Sequence, residues 1–159
     1  MDISQVIRKQ LEEGLRHHQS GRLEKAKEIY QWVLKQDSGN ADAYHFLGLI
    51  EHNRQNFKTA VQFIQQAITG DHDRHTFHFN LGAAQLALGD TEAARASYQK
   101  AASLKPDWPE AHFNSGCLAG QMNDVEHALK ALNKAISLRE NYAEAHASLA
   151  AVLNMLKRP

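Results

Sequence analysis

The sequence predicts an all-α protein built as an α-solenoid, a row of stacked helical hairpins, on three observations. Gly14, Gly48, Gly82 and Gly116 recur at intervals of 34 residues, with Ala150 in the next slot. Three further columns keep that register: Ala26, Ala60, Ala94 and Ala128; Tyr30, Ile64, Tyr98 and Leu132; Val33, Ala67, Ala101 and Ala135. Between the columns the apolar residues fall at three-and-four spacing, and nothing alternates at period two for long enough to form a strand. A fixed period of this length marks repeats that bury their apolar faces only by stacking on neighbours.

Each element follows from this register. Helices are predicted over 4–18 and 23–36, 41–53 and 57–69, 75–87 and 91–104, 109–121 and 125–138, and finally 143–157. In 41–53 the inward groups are Tyr44, Leu47 and Gly48; in 57–69 they are Ala60, Phe63, Ile64 and Ala67. Ser20-Gly21, Gly89-Asp90, Asn123-Asp124 and the Pro106–Pro109 segment punctuate the chain. Asp90 suits an N-cap, its carboxylate accepting from amides of the next turn. Pro109 suits a first helical turn, where its missing N–H costs nothing. Small residues such as Gly48 and Ala60 are expected where the two helices of a hairpin cross. The repeats run over about 7–40, 41–74, 75–108 and 109–142, followed by one C-terminal helix, and all of 1–159 forms one domain.

Tyr44, Leu47, Gly48, Ala60 and Ala67, then Leu81, Gly82, Ala94, Tyr98, Ala101 and Pro106, carry a resemblance to the tetratricopeptide repeat family. Gln10 and Glu13 replace large apolar groups in the first repeat, as an exposed end requires, and Ser115 stands where Leu is usual in the fourth. The resemblance implies a right-handed superhelix whose concave side is lined by the first helix of each pair. His78-Phe79-Asn80-Leu81-Gly82 and His112-Phe113-Asn114-Ser115-Gly116 further resemble the repeats of O-linked N-acetylglucosamine transferase and its bacterial relatives. There, an Asn two residues before the Gly holds peptide backbone; only Asn80 and Asn114 match, with Glu12, Phe46 and Ser148 in the other repeats.

The resemblance therefore places His45, Phe46, His52, Asn53, Phe79, Asn80, Phe113, Asn114 and Gln121 along a peptide-binding groove, with Leu11, Glu12, His18 and Gln19 continuing it. Aromatic rings there would clamp apolar side chains, and amides would meet peptide backbone. The competing reading is that the three Phe rings pack between repeats. A two-carboxylate clamp like that of chaperone-tail binders is set aside, because its places hold Leu11, Leu15, Phe46, Thr76 and Asn80, which offer almost no compensating charge.

Eighteen basic and eighteen acidic residues cancel, so no global field draws the chain to nucleic acid or to an anionic membrane. The expected partner is a protein or peptide, and no cofactor is expected. Cys117, the only cysteine, cannot form an internal disulfide, and no secretory signal opens the sequence, so a cytoplasmic location is the default. His78, His112 and His146 recur with the period and read as packing residues with a polar tip. His72, Asp73, His75 and His78 lack a recognised ligand spacing, so no metal is predicted. Without a phosphate loop, nucleophile elbow or paired carboxylates, catalysis by this chain alone is not expected.

The last helix begins a fifth unit. Ala145, Leu149, Val152, Leu153 and Leu156 are expected to cover the fourth repeat, leaving Ala147, Ala150, Ala151 and Met155 partly bare. Either a longer protein continues from here, or this edge, through Leu153 and Met155, associates into a homo-oligomer. The sequence is thus read as a protein-interaction module with a concave groove. The alternatives are the substrate-recognition front of a larger bacterial glycosyltransferase-like enzyme and a self-associating scaffold.

Overall fold

A computed structural model describes residues 2–156. Nine helices occur among them: α1 (Ile3–Gln19), α2 (Leu23–Gln36), α3 (Ala41–Asn53), α4 (Phe57–Gly70), α5 (His75–Leu88), α6 (Thr91–Leu104), α7 (Pro109–Gln121), α8 (Val125–Leu138) and α9 (Ala143–Leu156). Predicted and observed ends differ by one residue at most among the described residues; Lys157, the predicted end of the last helix, lies outside them. Local chemistry starts several of these helices. Asp90 accepts a hydrogen bond from the Ala93 amide, Asn40 from that of Ala43 and Asp124 from that of His127, and Pro109 opens α7.

The hairpins close at a repeated turn. Gly21, Gln55, Gly89 and Asn123 stand 34 residues apart, and all have positive φ, from 60° to 89°. A left-handed residue lets the chain reverse between paired helices, a conformation Gly adopts freely and Gln55 adopts against its Cβ.

Within each hairpin, the Gly column receives the large residue of the second helix. A Cβ on Gly14 would stand 2.5 Å from the Tyr30 ring, and one on Gly48 would stand 2.6 Å from Ile64 Cγ1. At Gly82 the nearest atoms are the Tyr98 ring at 3.1 Å, and at Gly116 Leu132 Cγ at 2.9 Å. The expected Gly–Ala crossing is therefore chiefly a Gly–large-residue crossing, with the Ala60 carbonyl 3.3 Å from the Gly48 position. Ala26, Ala60, Ala94 and Ala128 are all fully buried beside it.

Hairpins stack through α2–α3, α4–α5, α6–α7 and α8–α9, and odd-numbered helices also meet one another (α1 with α3, α3 with α5, α7 with α9). The row thus curves toward its odd-numbered helices, giving an all-helical repeat superhelix with those helices on the inner wall. One expectation at the end of the row needs correction. Ala145 and Val152 are buried and Leu149 half-buried against the fourth repeat, but Leu153 and Leu156 are exposed. Leu153 lies one residue, about 100° of helix, beyond Val152 and turns away from α7 and α8.

Gly48→Ala should lower stability by about 1–3 kcal/mol, since its Cβ must displace a methylene of the fully buried Ile64 side chain. Gly82→Ala should cost less, because its closest contact is longer, at 3.1 Å against 2.6 Å, while the helix-propensity gain of about 1 kcal/mol is common to both. Thermal melts of the two variants, compared with the parent, test that ordering.

Candidate functional site

Three residues before Gly48 and two before Gly82, α3 and α5 bring His45 and Asn80 together. Asn80 Nδ2 lies 2.8 Å from His45 Nε2. The amide nitrogen only donates, so this ring nitrogen accepts and carries no proton. His45 is 7% exposed, with its ring 4.5 Å from Phe77 and 5.6 Å from Phe46. Burial, aided by the charges of Arg74 and His18, holds its pKa down to about 4. His45 is therefore a neutral, fixed acceptor that orients the Asn80 amide. The Asn80 carbonyl oxygen keeps no partner among the described residues.

The three candidate groove phenylalanines are half-buried and take aromatic neighbours. Phe46 stacks on Tyr30 at 5.1 Å; Phe79 stacks on Trp108 at 4.4 Å and meets Tyr98 edge-on at 5.1 Å; Phe113 leans on Tyr142 at 4.9 Å. Each ring wedges a joint and shows only part of its surface to the inner wall. Asn114 is half-buried one repeat on from Asn80. His52 is half-buried with its ring edge-on to Phe57 at 5.3 Å, while Asn53 and Gln121 end their helices exposed. His45, Phe46 and Asn80 thus come together where α3 meets α5, whereas Phe79 packs toward Trp108 and Tyr98.

The periodic histidines have a role that their spacing did not disclose. His78 Nε2 donates to the His72 carbonyl at 2.8 Å, His112 to that of Pro106 at 2.9 Å, and His146 to that of Glu140 at 2.8 Å. Each clasps the turn six residues behind it. Cys117 donates to Ser148 Oγ at 3.4 Å, and burial pushes its thiol up, the opposite of what a nucleophile needs.

Two hollows flank these features. One of about 380 Å³ lies between α7 and α9 and brings Gln121 next to Met155, with Cys117 and Ser148 in its lining. Beside it Leu153 and Met155 are each 42% exposed. A larger one, about 690 Å³, opens on the outer wall between α6, α7 and α8. The sequence reading missed it, although Ser115, one of its lining residues, had stood out against the repeat pattern.

Comparison with known proteins gives a consistent picture. Models of the Tetratricopeptide repeat match residues 11–74, 75–108 and 109–142. A curated relative, Protein STIP1 homolog of Dictyostelium discoideum, is 31% identical over 75 residues, 47% of this chain. That stretch spans 13% of the relative's own length. Among solved structures, MamA superposes with a TM-score of 0.83 at 22% identity, covering 91% of this chain and 84% of that one. YrrB gives 0.85 at 20% identity, over 93% and 76%. The first repeat domain of Spaghetti (RPAP3), with an HSP90 peptide, gives 0.71 at 19% identity, over 77% and 97%.

The His45 environment predicts an acid sensitivity. The unfolded chain takes up a proton on this residue near pH 6.5 and the folded chain only near 4, so in that window the unfolded state binds more protons. Stability should fall as pH drops from 6.5 toward 4. His45→Gln, which can still accept from Asn80, should flatten the change in melting temperature over that interval; a slope equal to the parent's would refute the assignment.

Proposed function

The chain belongs to the tetratricopeptide repeat family, whose models span residues 11–142 between them, and we propose that it is a protein-interaction module gripping an extended peptide or partner helix on its inner wall. The observation that carries this reading is the His45–Asn80 pair. A buried neutral imidazole fixes an amide on the inner wall and leaves its carbonyl oxygen ready to accept from a peptide N–H. Asn114 repeats the amide 34 residues on, so two such groups lie along the direction an extended chain would take.

The partly bared edges of Phe46, Phe79 and Phe113 supply apolar contact, and because those rings are wedged against other aromatics, little side-chain entropy is lost when a ligand arrives. YrrB is described as having an unusual peptide-binding site, and the Spaghetti domain was solved holding a peptide. Both favour the same class of ligand here. The acidic tail of that second peptide is a poor model for this groove, whose corresponding places hold Leu11, Leu15, Phe46, Thr76 and Asn80.

A second reading, a scaffold that pairs two copies through α9, is favoured by the exposed row Leu153, Met155 and Leu156 next to the hollow at Gln121.

Asn80→Ala with Asn114→Ala should keep the parent's helical content, melt somewhat lower because the buried His45 nitrogen loses its donor, and weaken binding of its partner by about tenfold, one to two hydrogen bonds' worth. Titration calorimetry that finds unchanged affinity removes the inner-wall amides from the site. For the pairing reading, light scattering should return a dimer that Leu153→Lys with Met155→Lys converts to monomer; a parent that is monomeric at high concentration excludes it.

A further inference from the structure

We propose that the outer wall carries a second binding site, a cleft between α6, α7 and α8 that takes an acidic peptide segment anchored by an apolar side chain. It is separate from the inner wall and does not depend on the reading given above.

The cleft exists because one pair of columns changes at this joint. Leu34 and Leu47 fill the first joint within one apolar cluster, and Ile68 and Leu81 fill the second within another. Ile136 and Leu149 hold the same columns at the last. At the third joint the pair is Ala102 and Ser115. The two large side chains are absent, and a hollow of about 690 Å³ takes their place, floored by Ala102 and Ala131. Ser115 is 4% exposed and lines the hollow with a short polar side chain where the other joints carry Leu.

Part of the cleft's charge is also local to this joint, since Lys130 is new here whereas Lys134 keeps a column that Lys100 already fills on α6. Lys130 and His127 stand where α6 has Ala96 and Ala93 and where α4 has Gln62 and Thr59, and Lys134 adds a second ammonium. No Asp or Glu lines the hollow. The carboxylate beside it, Asp124, is held by Arg95 and His127, which pull its pKa down to about 2. Lys130 and Lys134 make no ion pair among the described residues. The aliphatic stems of these lysines extend the apolar floor while their heads stay at the rim.

Shape and lining favour a polypeptide over a compact anion. The residues contributed by α8 run from His127 to Ser137, about 15 Å of helix. That matches four or five extended residues at about 3.3 Å each. Gln99 and Asn133 occupy one column on the two flanking helices, so two amides face the cleft, each able to donate to and accept from a peptide bond. An apolar side chain then sits over Ala102 and Ala131 where the other joints hold their own Ile or Leu, and neighbouring carboxylates meet Lys130 and Lys134.

The test is fluorescence polarisation with a short labelled peptide of alternating glutamate and leucine, beside its lysine–leucine counterpart and free decanoate as competitor. The full chain should bind the acidic peptide, more weakly as salt rises, and ignore the basic one. Ala102→Ile with Ser115→Leu restores the pair found at the other joints and should weaken binding by about tenfold or more. Lys130→Glu with Lys134→Glu, on the rim where folding is not at risk, should do the same. Asn80→Ala with Asn114→Ala should bind this peptide like the parent, which separates the two walls. Equal binding by the filled variant, or by the lysine variant, overturns the proposal, as does no binding by the parent. Binding of decanoate without the peptide overturns it in favour of a small amphipathic anion.

Discussion

The structure depends on a missing carbon. At Gly14, Gly48, Gly82 and Gly116 the first helix of each hairpin presents bare backbone, and Tyr30, Ile64, Tyr98 and Leu132 press into the space. A Cβ there would lie 2.5–3.1 Å from those side chains, closer than packed atoms tolerate. The depth of this seat sets how near the paired helices come. It therefore sets which residues reach the inner wall and which are sealed in the joint. The neighbouring Ala column, fully buried throughout, keeps the approach equal in all four hairpins. Because the seat is the same each time, the hairpins superpose in series and the row acquires a regular curve.

With the backbone held constant, individuality lies in the residues that break the columns. On the inner wall, His45 takes a place filled by Leu11, Phe79 and Phe113 in the other repeats. That exchange creates a partner for Asn80, and burial keeps the imidazole neutral. On the outer wall, Ala102 and Ser115 replace a bulky pair, and cations collect around the space they leave. Both features are departures from the repeat against a scaffold that does not move. The recurrent histidines, by contrast, keep the period and clasp the turns behind them.

Much of this was readable before any coordinates. Helix starts follow from local chemistry, so Asp90 and Pro109 announced their roles, and the period placed every hairpin. Contacts between columns were harder. Asn80 and His45 are 35 residues apart, one step off the period, and each reads separately as a groove residue until geometry joins them. The half-burial of Phe46, Phe79 and Phe113 depends on Tyr30, Trp108 and Tyr142, which the groove reading did not set against them. Gln55 has no turn signature; only its alignment with Gly21, Gly89 and Asn123 betrays its positive φ. Ser115 was visible as an exception, but its meaning required Ala102 on another helix.

The stacking also governs how the molecule comes apart. Because each hairpin leans almost wholly on the one before and the one after, order is expected to be lost one hairpin at a time, soonest where the bracing is one-sided. Among the described residues α3 and α5 are braced on both sides. The Asn80 amide and the His45 imidazole thus sit in a segment braced on both sides. Such a row can breathe at one joint while the His45–Asn80 pair stays held at another.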